Sequence, residues 1–341
     1  MRIVHCSNFS LRKNGSFFYG VPYKLSDGLT RLGHFVFDYP DRDVADGYFM
    51  GIRRLGVSRA NKKLINVCQE VRPDMLLLGH CTIISPDTLN TIRKNIPAIR
   101  IAHWNCDAMF IPKNFERVSS LVPLVDATFV TTAGEDIRTL AKAGGRVAFM
   151  PNPVDPSIET LRVFEKNHVE NDLVFLTGGG AFSEMRAQIC EHIRARIPDL
   201  KFDVRGLFGH PNTYGARLFD ALGNAKMGLN ISARNDVRLY SSDRMAQLMG
   251  SGLLTFLDRR TGFGSLIRDD EAAFYEGEDE LVEKLIHFRR NDSARRDTAR
   301  RGWQRAHDIF NATKVAQWIV ETSFRQAKSH DYAWLTEILE N

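Results

Sequence analysis

Short continuous apolar runs alternate along this chain with helix-length amphipathic stretches, and no other feature restricts its fold as tightly. A strand buried on both faces of a parallel sheet reads as an unbroken hydrophobic run, because helices cover it above and below. In the first half such runs stand at Arg2 to Cys6, Phe35 to Tyr39, Met75 to Leu78, Ile99 to Trp104 and Ala127 to Thr131. Helical candidates accompany them at Tyr19 to Leu32, Ser58 to Val71, Pro86 to Asn95, Phe115 to Leu121 and Gly134 to Ala143. The segment Arg146 to Pro156 carries a strand and then Pro151, Pro153 and Pro156, so regular structure must stop there. The rhythm restarts with strands at Leu173 to Thr177, Lys201 to Arg205, Met227 to Ile231, Leu253 to Leu257 and Ala272 to Tyr275. Helices are expected at Ser183 to Ile197, Tyr214 to Ala221, Asp243 to Met249, Asp279 to Arg290 and Ser293 to Phe310. A break at about 155–170 gives a first unit over 1–160 and a second over 161–312. Terminal helices over 313–341 are available to cap their own sheet or to cross back to the first unit. Two Rossmann-like, doubly wound halves in tandem are thus expected, with a ligand crevice where the carboxyl ends of both parallel sheets face each other.

A chain of 341 residues has room for two ordinary cores. No run approaches the ~20 apolar residues that span a bilayer, so an integral membrane protein is excluded. The opening MRIVHCSNF reads as a first strand and not as a secretory leader. Five cysteines, Cys6, Cys68, Cys81, Cys106 and Cys190, are scattered without zinc-like spacing, which suits reduced thiols and a cytoplasmic location. A net charge of +5 is too weak to argue for nucleic acid and suits an anionic ligand or an anionic lipid surface.

The strongest local signal runs from Leu239 to Ile267. Ser241, Ser242 and Asp243 are good N-cap residues, and Met245, Leu248 and Met249 follow at helical spacing until Gly250 and Gly252 stop the helix. The free amides of that helix start suit a diphosphate, with Arg244 in the first turn to pair with it. The plainer alternative is a capped helix whose arginine is merely solvated. Upstream, Gly178, Gly179 and Gly180 follow a buried strand and precede Ser183, read as an N-cap, and Arg186. Glycines there let backbone amides approach a phosphate, although a tight turn without ligand has the same composition. NGSFFYG after the first strand holds Gly15 and Ser16, candidates to line the crevice. It is not a GxGxxG fingerprint, which argues against an NAD-linked dehydrogenase.

The run DRMAQLMGSG, the strand LLTFLD, TGFG, the strand AAFYEG and then EDELVEKLIHFRRNDSARRDTARRGWQRAHDIF resemble, in that order, the carboxyl-terminal half of group 1 glycosyltransferases, particularly their CgeB-like branch. DATFVTTAGEDIRTLAKAGGRVAFMPNPVDP and LVFLTGGGAFSEMR are similar to the linker-proximal segment and the first nucleotide-binding strand and loop of the same families. The resemblance spans most of residues 120–310, while the first 120 match only in βα layout. It implies a GT-B fold and metal-independent transfer from a nucleotide-sugar donor to a glycan or lipid-linked acceptor, in bacterial lipopolysaccharide or envelope polysaccharide assembly. The donor would lie on Gly178 to Ser183, Arg186 and Ser241 to Gln247. Gln247 departs from the pattern, since many relatives have a Glu there to accept ribose hydroxyls. Weaker donor binding, a different nucleotide, or a neighbour such as Asp243 in that role would each follow, and the departure keeps a non-catalytic partner protein open as an alternative, beside a GT-B epimerase.

His80 follows the strand DMLLLG, and His103 and Asp107 stand at the end of IRIAHWNCDAM. Parallel strands deliver such positions to the crevice, so Asp107, His103 or His80 is the candidate base for an acceptor hydroxyl in an inverting transferase, while a retaining one would need none of them as nucleophile. His, Cys and Asp do not cluster at ligand spacing, and no metal or permanently bound cofactor is expected. Phe49 to Lys63 mixes apolar residues with Arg53, Arg54, Arg59, Lys62 and Lys63, a pattern suited either to peripheral contact with an anionic membrane surface or to a solvated face. The arginines from Arg295 to Arg305 read as surface charge.

Overall fold

The computed structural model describes residues 1–47, 53–178, 180 and 182–340. It divides into two units, Met1–Pro153 with Ala312–Asn341, and Val154–Asn311.

The first unit runs β1 (Arg2–Ser7), α1 (Val21–Arg31), β2 (Phe35–Pro40), α2 (Asp41–Asp46), α3 (Arg53–Val71), β3 (Met75–Gly79), α4 (Pro86–Asn95), β4 (Arg100–Asn105), α5 (Pro112–Leu121), β5 (Ala127–Val130), α6 (Glu135–Ala141) and β6 (Arg146–Phe149). Its six strands are parallel in the order β2-β1-β3-β4-β5-β6. The order reverses between β1 and β3, so the loops after these two strands diverge and leave a crevice at their carboxyl ends. Val4, Cys6, Leu76, Leu78 and Ile101 bury one face of the sheet against Leu64 of α3 and Leu89 and Ile92 of α4. Local sequence agrees with this layout: α4 starts behind Ser85, whose hydroxyl accepts from the Thr88 amide, with Pro86 as the first helical residue.

The second unit runs β7 (Asn171–Leu176), α7 (Ser183–Arg196), β8 (Phe202–Arg205), α8 (Ala216–Gly223), β9 (Ala225–Asn230), α9 (Arg244–Gly250), β10 (Leu254–Asp258), β11 (Ala273–Tyr275), α10 (Gly277–Arg290) and α11 (Asp292–Ile309). Its strands are parallel in the order β8-β7-β9-β10-β11, with the reversal between β7 and β9. Leu173, Phe175, Met227, Leu229 and Phe256 fill the core with Ile193 of α7 and Leu281 and Leu285 of α10.

Two expectations need correction. The terminal segment is not a helix pair: α12 (Ala312–Ser323) is followed by turns and by β12 (Ile338–Glu340), which pairs antiparallel with β6. Buried Glu321 turns the chain back, accepting from the Ser329 amide and the Tyr332 hydroxyl, while Tyr332 and Trp334 gather around Trp318. The arginines of α11 are not plain surface charge, since Arg295 is buried and Arg296 and Arg305 donate to the carbonyls of Phe164, Lys166 and Leu266. In the basic stretch, Phe49 to Ile52 lie outside the described residues, and α3 carries the rest. Among the described residues no helix is long and apolar enough to cross a membrane.

Candidate functional site

A cavity of about 510 Å³ opens at the β1/β3 reversal, lined by the loop after β1 and by Arg42, Asp43, His80 and Asp107. Under His80 lies buried Trp104, the penultimate residue of β4, whose ring meets that of His80 edge to face at 5.0 Å. A Cβ at Gly79 would fall 2.2 Å from the Ser7 hydroxyl and 2.4 Å from the Trp104 ring, so glycine is what lets the indole lie there. The Trp104 ring N–H donates to His5 Nε2 at 3.1 Å. That bond puts the remaining proton of neutral His5 on Nδ1, which faces the Ser26 hydroxyl at 2.8 Å, and Ser26 donates on to Asp38. Burial holds His5 down at about 3, so it stays neutral.

His80 has a left-handed backbone, φ +57°, and Cys81 after it has φ +49°. Such conformations are costly for residues with a Cβ and gather at functional sites. His80 Nδ1 faces two acceptors, Asn105 Oδ1 at 2.9 Å and Asp107 Oδ2 at 3.2 Å. Nδ1 therefore donates, and in the neutral ring Nε2 keeps its lone pair. Arg117 of α5 donates to the same two oxygens. Burial alone would raise the Asp107 carboxyl, but the bond and charge of His80, and then those of Arg117, hold it well below the usual carboxylate range. Asp107 is therefore a weak base and an orienting group.

His103 is corrected as a base. It sits two residues after Ile101 on the same buried face of β4, beside Leu78 in register, and is fully buried. Burial, followed by the charges of His80 and Arg117, lowers it to about 3. Gly15 and Ser16 lie on the loop after β1, yet Arg12, Lys13, Phe17 and Gly20 line the cavity in their place. Asp43 shapes that loop by accepting from the amides of Leu11 and Arg12.

In the second unit the β7/β9 reversal gathers the other candidates. Arg186 is 8% exposed and donates to the Thr177 hydroxyl at 3.1 Å. Its Nε is buried without a partner. Arg244, also 8% exposed, donates to the carbonyls of Leu176 and Ile231 and lies 4.9 Å over the Phe175 ring. Burial, and next the positive charge of Arg186, push Arg244 down to about 10. Burial likewise lowers Arg186. Among the described residues neither guanidinium has a carboxylate in hydrogen-bond reach.

The caps read from the sequence are corrected. Ser183 is the first helical residue, not the cap of α7, and its hydroxyl donates to the Gly180 carbonyl at 2.7 Å. Asp243 caps α9 without a side-chain bond to the helix amides, the Ser241 hydroxyl donates to the Ser242 carbonyl, and the Ser242 hydroxyl is buried without a partner. Gln247 donates to exposed Asp243 at 3.0 Å. A Cβ at Gly178 or Gly180 would meet nothing within 4 Å, so the turn is open there, while Gly179 lies outside the described residues. Asn105, Arg117 and Thr177 escaped the sequence reading, because their roles come from the approach of separate elements. Among the described residues no group of three or more His, Cys, Asp or Glu gathers to hold a metal.

Two parallel, doubly wound units with side chains converging at each strand reversal define an α/β fold of the GT-B type. Residues 186–321 match the glycosyl transferase-like family. Among solved structures, Anabaena HepE in complex with UDP-glucose is similar with a TM-score of 0.60 and 11% identity, over 95% of this chain and 100% of its own. Sucrose-phosphate synthase from Thermosynechococcus elongatus gives 0.59 and 9% identity, over 95% and 98%. TarM gives 0.56 and 10% identity over 77% of this chain, which spans 58% of TarM. No curated protein matches the sequence significantly.

Proposed function

We propose that the chain is a glycosyltransferase that moves a sugar from a nucleotide-sugar donor to a glycan or lipid-linked acceptor. The observation that carries this reading is the buried pair Arg186 and Arg244, which among the described residues has no carboxylate in hydrogen-bond reach. Two desolvated like charges destabilise a fold, and a diphosphate bound beside them removes that cost. The same pair stabilises the charge that grows on a departing nucleoside diphosphate, a role that needs no metal. Asp243, braced by Gln247, takes the ribose hydroxyls that a Glu at 247 takes in the relatives.

In the first unit His80 Nε2 accepts the proton of the attacking hydroxyl, with Asp107 and Asn105 fixing the tautomer. The resemblance to the CgeB-like branch of group 1 glycosyltransferases supports an acceptor from envelope polysaccharide or lipopolysaccharide assembly. Five free cysteines suit the reducing cytoplasm, and the basic face of α3 suits the anionic inner membrane surface.

The test is to incubate the purified chain with UDP-, GDP-, ADP- and TDP-sugars, with and without lipid-linked glycan acceptors, in buffer containing a chelator. Nucleoside diphosphate released only when an acceptor is present supports transfer. Donor converted without an acceptor points to an epimerase, and the absence of binding to every donor points to a non-catalytic protein.

A further inference from the structure

The loop from Gly206 to Gly215, between β8 and α8, takes no part in the contacts assigned above. Its aromatic residues are unusual. Phe208 holds a left-handed backbone, φ +52°, which a bulky side chain adopts only at a cost. It leaves 40% of its surface exposed, and Tyr214 leaves 42%. Rings kept out of the core on a strained turn have faces to offer a flat partner.

The loop is fastened to the turn beside the arginine pair, and Thr177 is the shared neighbour. The Thr177 hydroxyl accepts from Arg186, and its amide donates to the Arg205 carbonyl at 3.0 Å. Its carbonyl lies so close to Gly206, φ +84°, that a Cβ there would come within 1.9 Å. One turn residue further, the Gly178 carbonyl accepts from Asn212 Nδ2 at 3.2 Å, and the same amide lies 3.0 Å from the Tyr214 hydroxyl. Arg194 lies 4.8 Å over the Phe208 ring, which fixes the ring plane from one side. Exposed rings are thus tied, through two successive backbone positions, to the residues that flank the diphosphate site.

We propose that Phe208 and Tyr214 form the stacking platform for the base of the bound nucleoside diphosphate, an inference that rests on the function proposed above. Stacking on an aromatic face is tolerant of base identity, because every base has a π-face. The platform accordingly adds affinity for the nucleoside moiety and does not choose among bases.

Calorimetric titration of the full chain with UDP, GDP, ADP, TDP and inorganic pyrophosphate tests this. The Phe208→Ala/Tyr214→Ala double variant should bind the tightest of the nucleotides at least about tenfold more weakly, with pyrophosphate affinity unchanged. Both side chains are substantially exposed, so its melting temperature should stay near that of the parent. Arg186→Ala should weaken both ligands. Unchanged nucleotide affinity in the double variant, or an equal loss for pyrophosphate, overturns the platform and leaves the diphosphate site standing. A parent chain that binds none of the nucleotides overturns the proposed function and the platform together.

Discussion

Asp107 and Arg186 are both charged and only partly solvated, but their partners give them opposite roles. The Asp107 charge is already engaged by His80 and Arg117, so its contribution is to hold a proton on His80 Nδ1. Asp107→Asn should lower kcat by about 10²- to 10⁴-fold with donor affinity unchanged, because the amide can donate and turn the tautomer over. Full turnover in steady-state assays would remove this role. Among the described residues Arg186 has no carboxylate in hydrogen-bond reach, and its Nε is buried without a partner. Arg186→Met should raise the stability of the unliganded chain by about 1 kcal/mol, because a buried like-charge contact disappears, and should abolish the melting-temperature rise that a nucleoside diphosphate causes. A lower unliganded melting temperature with the ligand shift intact would contradict it. These residues were legible as candidates because strand ends and helix starts are visible in sequence. Their parity was not: His80 and His103 look alike in the chain, and only the side of β4 on which His103 falls buries it.

At the scale of elements, all the strands of both parallel sheets and nearly all the helices follow from the apolar runs and their spacing. What escaped is short or depends on distant contacts. α2 is a single polar turn or so, and β12 exists because β6 offers it an edge. Asp243 does stand at the cap position of α9, but Ser183 and Ser241 were misjudged as caps because their hydroxyls donate to nearby carbonyls. The end of β3 carries a sharp steric demand beside the cavity. Gly79→Ala should cost roughly 1–3 kcal/mol by forcing Ser7 or Trp104 aside, and should lower turnover as the ring under His80 shifts. Denaturant titration measures the first effect, and an unchanged midpoint would contradict it.

The whole molecule carries an acid-sensitive first unit. Burial lowers the folded pKa of both His5 and His103 from 6.5 to about 3, so below 6.5 the unfolded chain binds protons that the folded chain refuses. Stability must therefore fall as pH drops from 6.5, by about 1.4 kcal/mol per pH unit for each histidine. Asp41, raised by burial from 3.8 to about 6, works in the opposite direction between those values and offsets one of the two. His103→Leu should accordingly flatten the acid slope by one proton, and unfolding midpoints measured from pH 6.5 down to 3.8 check it. A parent chain whose stability rises in acid would refute the assignment. The most direct measurement of the central claim is a crystal structure with a nucleoside diphosphate bound. Phosphate oxygens should lie about 3 Å from the guanidiniums of Arg186 and Arg244 at the carboxyl ends of β7 and β9. A diphosphate held elsewhere, with both arginines still bonded only to Thr177, Leu176 and Ile231, would contradict it.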